Sequence, residues 1–349
     1  MSKLIQIDNS ALLPVARMGI GQRVLRLLMA LLPWTIIASL LWAGLFIKPQ
    51  PVGVSVTPPL LERRDHFYGL TLAPEGEVWA SGSNGKILAI AAGGQMRRLP
   101  TPTGLTLQDI AVWDASHAVA VGNDGVILYS QDAGQHWSAA SDVPRSQIAN
   151  KLNRVRIGHG GLAIAAGEMG ALLVSRDFGQ SWQRLREEED VAWNDVAILD
   201  DGRLVVVGEF GRILLGDEHW QSWQEITSPV SSSLMSVQFR DALNGVAVGL
   251  EGVLLVTRDG GQLWQAVELG INDHLFDVLW SPVQGQWFAS GAQGRWVSGG
   301  ADSAGWKIGI LDKRNLAWHT RALSVGSNVW LVGADIGRWD GQQWLPLKP

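Results

Sequence analysis

The 349-residue chain has no cysteine and only two tyrosines. Without cysteine there is no disulfide framework, no zinc ribbon, no thiol nucleophile and no lipid attachment through an N-terminal Cys, a composition that suits an oxidising exoplasmic space. Histidine is sparse as well. His66, His117, His136, His159, His219, His274 and His319 are scattered without ligand spacing, so neither a metal site nor a cofactor is expected. Positive charge is not in excess: 28 basic against 33 acidic residues give a net charge of -5, which argues against a nucleic-acid partner. Long charge-free runs are missing too, with one exception near the N-terminus.

That exception is residues 27–47, LLMALLPWTIIASLLWAGLFI, without a single charge. As a helix it would extend about 31 Å, matching the roughly 30 Å hydrocarbon core of a bilayer. A membrane-spanning signal-anchor is expected here. A cleaved signal peptide is disfavoured, because its apolar region is usually about 7–15 residues and no clear A-x-A site follows. Lys3, Arg17, Arg23 and Arg26 precede the run and Lys48 alone follows closely. The positive-inside bias then assigns residues 1–26 to the cytoplasm and the rest of the chain to the periplasm of a Gram-negative inner membrane. Residues 48–66, with Pro49, Pro51, Pro58 and Pro59, read as a stiff spacer.

What is abundant is glycine, 41 residues of it, and its spacing is regular. Pairs three apart occur at Gly82 and Gly85, Gly122 and Gly125, Gly167 and Gly170, Gly208 and Gly211, Gly249 and Gly252, and Gly291 and Gly294, with a stretched version at Gly333 and Gly337. Their first members lie 40, 45, 41, 41, 42 and 42 residues apart. Each pair sits between runs of four to six Val, Ile, Leu and Ala residues, which read as strands. A period near 41 residues fits one four-stranded propeller blade. The predicted fold is therefore all-β, a seven-bladed β-propeller behind one transmembrane helix. Its blades fall near 67–100, 108–140, 152–185, 193–226, 234–267, 275–308 and 319–349. The glycines are expected to supply positive φ in tight turns. Ring closure is expected to rest on face packing, with residues 52–64 as a possible extra edge.

Three of the later turns carry a sharper motif: SQDAGQHW at 130–137, SRDFGQSW at 175–182 and TRDGGQLW at 257–264. This is the Asp-box, or bacterial neuraminidase repeat. Asp132, Asp177 and Asp259 are expected to accept hydrogen bonds from their own turn. Gly134, Gly179 and Gly261 would take the left-handed position, and Trp137, Trp182 and Trp264 would pack between sheets.

Taken together, the repeats resemble the photosystem II stability and assembly factor family, best in unit 2 (GNDGVILYSQDAGQHW) and unit 5 (GLEGVLLVTRDGGQLW). The resemblance implies a seven-bladed, non-enzymatic, membrane-associated scaffold that binds a subunit of a membrane protein complex. The missing lipoprotein cysteine and the anchor-like helix resemble a non-photosynthetic bacterial branch, whose suggested client is a resistance-nodulation-division type exporter. A sialidase is disfavoured: it needs a Tyr nucleophile, an acid-base Asp and three converging arginines. Tyr129 falls beside an Asp-box, away from the channel. The rival reading from another class is a propeller that takes envelope glycans or small ligands in its central pocket, for which Trp113, Phe276, Trp280 and Trp318 are the candidate aromatics.

Two constellations are candidate partner-binding residues. Family members use an arginine-rich patch, and the residues after the second glycine here include Lys86, Arg212, Arg295 and Arg338. They either hold a client or pair with turn carboxylates such as Asp124, Glu168, Glu209, Glu251 and Asp335. At the start of the innermost strands, aligned units give Gly69, Asp109, Arg154, Asp195, Ser236, Asp277 and Arg321. These either line the channel mouth for a ligand or, as alternating Asp and Arg favours, lock neighbouring blades together.

Overall fold

The computed structural model describes residues 19–46 and 59–347, in two compact units divided after Pro58. The first contains one helix, Ile20–Phe46, with mean hydropathy 2.0 over its most apolar window and no buried residue. By length and composition it is able to cross a membrane. It begins seven residues before the charge-free run and so includes Arg23 and Arg26; Ile47 and most of the Pro-rich spacer lie outside the described residues.

The second unit is a seven-bladed β-propeller. Seven four-stranded antiparallel sheets each follow chain order from an inner to an outer strand. The inner strands are Phe67–Leu72, Leu107–Val112, Leu152–Ile157, Trp193–Ile198, Leu234–Phe239, Leu275–Ser281 and His319–Val325. Second strands such as Leu204–Gly208 are buried along their whole length, because each sheet is covered on both faces by its neighbours, which explains their unbroken Val, Ala and Leu runs. The core is a series of clusters between successive blades, in which Trp193 and Trp287 are fully buried.

Blades 1 and 7 each complete four strands from their own sequence, and their faces pack through Leu70, Ala80, Leu88, Trp330 and Val332. Of the expected extra edge, residues 52–58 lie outside the described part. Residues 59–64 form no strand; instead Leu61 is buried in the seam between the two blades.

The paired glycines do two different jobs. The second of each of the first six pairs meets the expectation: Lys86 donates from its amide to the Ser83 carbonyl across a turn in which Asn84 and Gly85 have φ of 56° and 66°, the geometry of a type I′ turn. The first does not have positive φ. Gly291, at φ -161°, is extended, and a Cβ there would lie 2.0 Å from the His274 carbonyl oxygen. The chain leading into each inner strand runs against this glycine, and the next amide, Ala292, donates to that same carbonyl. Close approach rather than backbone handedness dictates the residue.

Blade 7 departs from the alignment. Val332 pairs with Ile336 as Ser81 pairs with Ile87, so Asp335, not Arg338, stands where Lys86 stands. Its turn is shortened rather than stretched, and Gly337 belongs to the third strand, Ile336–Trp339.

The Asp-boxes close the opposite end. Asp177 accepts from the amides of Gln180 and Ser181 and from the Ser175 and Ser181 hydroxyls, while Gly179, at φ 85°, donates its amide to Ser175. Partial burial opposes ionisation of Asp177, but the Ser181 and Ser175 hydroxyls and the turn amides hold its carboxyl below the usual range. Asp132 and Asp259 repeat the pattern, and Trp137, Trp182 and Trp264 are buried.

Candidate functional site at the propeller axis

Every inner strand carries a register break at the same place, two residues in: between Phe67 and Gly69, Leu107 and Asp109, Trp193 and Asp195, and so on around the ring. A β-bulge inserts one residue and re-aims its neighbours. Here it creates two stacked layers at the axis, one made by the residues after each bulge and one by the bulged residues themselves.

The first layer contains the predicted axial residues. Asp109, Arg154, Asp195, Ser236 and Asp277 are buried, and Arg321 is nearly so. Blade 1 contributes no side chain: a Cβ on Gly69 would lie 2.6 Å from the Asp109 Cα. Arg154 crosses the axis, its terminal nitrogen donating to Asp277 Oδ1 at 2.8 Å and to Ser236 Oγ at 3.1 Å. Its Nε lies 3.0 Å from Asp195 Oδ1 but is not in line for a hydrogen bond, so that contact is Coulombic. Asp195 is instead gripped by Arg156, which donates from Nε and a terminal nitrogen to the two carboxylate oxygens at 3.0 and 2.7 Å, a bidentate fork. The carboxylates also accept backbone amides from neighbouring blades: Val155 to Asp109, Val237 to Asp195, Ala322 to Asp277.

Three carboxylates and three guanidiniums thus neutralise each other. Burial works to raise the Asp195 pKa, yet Arg154 and Arg156 bring it down to about 2. Arg156 is shifted up against its desolvation by Asp195. Burial and the like charge of Arg154 press Arg321 downward, opposed by Asp109. Arg156 was not among the sequence-derived candidates. The signal was available, since it lies two residues beyond Arg154 on the same strand and hence on the same side.

The second layer was not read as a layer from the sequence, which offered only Phe276 of its members. The bulged residues Tyr68, Gln108, Asn153, Asn194, Met235, Phe276 and Thr320 all line a cavity of about 340 Å³ on the end of the ring that carries the glycine turns. On the Asp-box end a second cavity, about 480 Å³, is lined by Arg156, Phe239, Trp280 and Ser324 among others. Arg321 lines both, so the charged layer divides the axial channel. Of the four candidate aromatics, Phe276 and Trp280 face these cavities. Trp113 instead donates to the Leu162 carbonyl and packs on Phe178, and Trp318 stacks on Tyr68 and packs at a tilt against His66.

The four candidate cations do not form one open patch. Lys86 is buried, its ammonium 2.6 Å from Asp65 and 3.0 Å from Glu62. Arg212 is forked onto Glu225, touches Glu189, and lies over the Trp193 ring. Arg295 pairs with Asp273 at 3.0 Å. In each case a carboxylate from the chain entering the blade meets the cation after the glycine turn. Blade 7 inverts the pair: Asp335 accepts from buried His319, 2.7 Å away. Burial opposes ionisation of Asp335, but His319 lowers its pKa. Arg338 is exposed, away from that turn.

Tyr129 lies in a third strand beside its Asp-box, and Tyr68, the other tyrosine, lines the cavity on the glycine-turn end. Among the described residues no group of three or more His, Asp or Glu is arranged to hold a metal ion.

Seven four-stranded blades, Asp-box turns at one end and an axis closed by paired charges define an Asp-box β-propeller. The chain belongs to the family of the photosynthesis system II assembly factor YCF48, whose model matches residues 95–213 and 215–286, more than half of its length. Among solved structures it is similar to YCF48 bound to a D1 peptide, at 15% identity and a TM-score of 0.64, covering 82% of this chain and 96% of that one. It is similar also to YCF48 from Cyanidioschyzon merolae, at 16% identity and a TM-score of 0.62, covering 78% and 94%. PorZ, an essential bacterial surface component of the type-IX secretion system of Porphyromonas gingivalis, shares the fold at 15% identity and a TM-score of 0.62; the match covers 82% of this chain and 38% of PorZ. Among curated protein sequences none matches the chain.

Proposed function

We propose that this protein is a non-enzymatic scaffold, anchored by the helix Ile20–Phe46 in an inner membrane with its propeller in the periplasm, that assists a membrane protein complex by binding one of its subunits. Membership of an assembly-factor family is the observation that carries this reading. The D1 peptide bound by one relative is the kind of client, a segment of another protein, that the reading extends to this chain. A resistance-nodulation-division type exporter is the first client to test.

For the contact surface we propose the end of the ring bearing the glycine turns, with Arg212 and Arg295 as its paired charges and Phe210 at its centre. Phe210 is 69% exposed and occupies the left-handed position of its turn, at φ 58°. A bulky residue there is strained, and an exposed aromatic is a poor choice for solubility, so a binding role accounts for both. Ile148 and Leu316, in chain entering other blades, are exposed on the same end.

The test is crosslinking of the tagged full-length protein in its native membrane, purification in mild detergent and mass spectrometry of co-purifying chains, beside Phe210→Gly. This substitution relieves backbone strain while deleting the ring, so lost binding is not lost folding. One membrane complex recovered with the wild type and lost with the variant supports both client and surface. Recovery with both proteins would move the surface elsewhere, and no protein partner with the wild type would overturn the scaffold reading.

A further inference from the structure

The layer of bulged residues is sorted by chemistry around the ring. Blades 5, 6 and 1 present Met235, Phe276 and Tyr68, with Thr320 of blade 7 among them; blades 2, 3 and 4 present Gln108, Asn153 and Asn194. The cavity they enclose therefore has an apolar, aromatic arc facing an amide arc. Behind the amides stand Lys151, Glu168 and Glu209. We propose that this cavity, on the glycine-turn end of the axis, is a binding site for a neutral saccharide, a function independent of the scaffold reading.

Three features choose that ligand class. First, the charges lining the cavity, Lys151 and Arg321 against Glu168 and Glu209, cancel, which disfavours an ionic ligand. Secondly, the polar arc is rich in unused acceptors. Glu168 and Glu209 each take one backbone amide, from Lys151 and Ala192, on a single carboxylate oxygen, and Gln108 spends its NH₂ group on Asn123. Their remaining oxygens, with that of Asn153, suit a ligand carrying several hydroxyl donors. Thr320 Oγ1 on the opposite side is buried and has no partner among the described residues. Thirdly, Tyr68 and Phe276 place aromatic rings in the cavity wall, the kind of side chain on which the apolar C–H face of a pyranose packs. Tyr68 is held by stacking on Trp318, with ring centroids 5.9 Å apart. The volume, about 340 Å³, lies within the roughly 300–1,000 Å³ range of small-ligand sites, and the charged layer beneath provides a floor.

The test uses purified full-length protein in detergent that contains no sugar headgroup. Glucose, N-acetylglucosamine, cellobiose and chitobiose serve as probes in saturation-transfer NMR and calorimetry. Saturable binding of at least one is expected, weakened about tenfold or more by Phe276→Ala and by Asn153→Ala. The melting temperature and circular dichroism of each variant report folding, and Trp280→Ala, in the other cavity, should leave the affinity unchanged. Absence of saturable binding to all four probes would overturn the proposal. So would affinity unaltered by Phe276→Ala or lost with Trp280→Ala alone. Because no membrane partner enters this experiment, its failure leaves the scaffold test intact.

Discussion

Asp195 at the axis and Asp177 at the rim are the same residue type in adjacent blades, and both have lowered pKa values, yet they hold the molecule in different ways. Asp177 serves its own turn, with every partner within four residues. Asp195 is fully buried and gathers Arg154 and Arg156 from blade 3 and Ser236 and the Val237 amide from blade 5, so that one carboxylate links three blades. A local staple lowers the free energy of one turn. A central one is cooperative between blades, because its full set of partners exists only when blades 3, 4 and 5 are in place together.

The largest expected effect follows from that difference. Asp195→Ala strips Arg156 of its fork and leaves Arg154 facing a buried gap, and removing one partner of a buried ion pair costs about 3–5 kcal/mol. Urea unfolding of the variant should show this loss in a single transition. A loss under about 1 kcal/mol would mean that the axial arginines escape to water, and the contrast with surface pairs would collapse.

Acid should reveal the same contrast. The Asp195 pKa is depressed from 3.8 to about 2 in the folded protein, so its contribution is present in full above the unfolded value and is lost as pH falls through the folded one. About 2 kcal/mol should disappear between roughly pH 4 and pH 2, and Asp195→Asn should flatten that part of the stability profile. A profile unchanged by the substitution would show that other carboxylates govern acid unfolding.

The smallest effect belongs to the rim. Asp177→Ala should cost about 1 kcal/mol, the scale of a few exposed turn hydrogen bonds net of water. Hydrogen exchange should quicken at the Gln180 and Ser181 amides and little elsewhere. Accelerated exchange around the whole ring would contradict the local role.

The ring itself was legible because its signals are local. Period, strand runs and the [Ser/Thr]-x-Asp-x-Gly-x-x-Trp turns each depend on residues a few positions apart, and backbone sterics and hydrogen bonding convert them directly into structure. The axial residues were legible as a set for the same reason, since one position per repeat must fall at one level. That they pair and lock blades together was also the favoured expectation; which pairs form was not legible, because Arg154 meets Asp277 across 123 residues of chain. Alignment by glycines also misled in blade 7, where a shortened turn sends Arg338 to the third strand and gives its place to Asp335. For Lys86, Arg212 and Arg295 pairing with turn carboxylates was one of the two expectations; they do pair, but with Asp65, Glu189 and Asp273 of the entering chain, which no spacing rule connects to them.

Sequence by itself therefore determined the array: how many blades, where six of the seven turn, and which residue of each repeat falls at the level of the charged layer, because all of these follow from short-range sterics and a fixed repeat. Only the tertiary structure decided that the first glycine of each pair answers to a carbonyl about 2 Å from its missing Cβ, and that seven bulges sort amides to one side of a cavity and aromatics to the other. Both depend on chain segments brought together by closing the ring, and the ring exists only when all of its blades have folded.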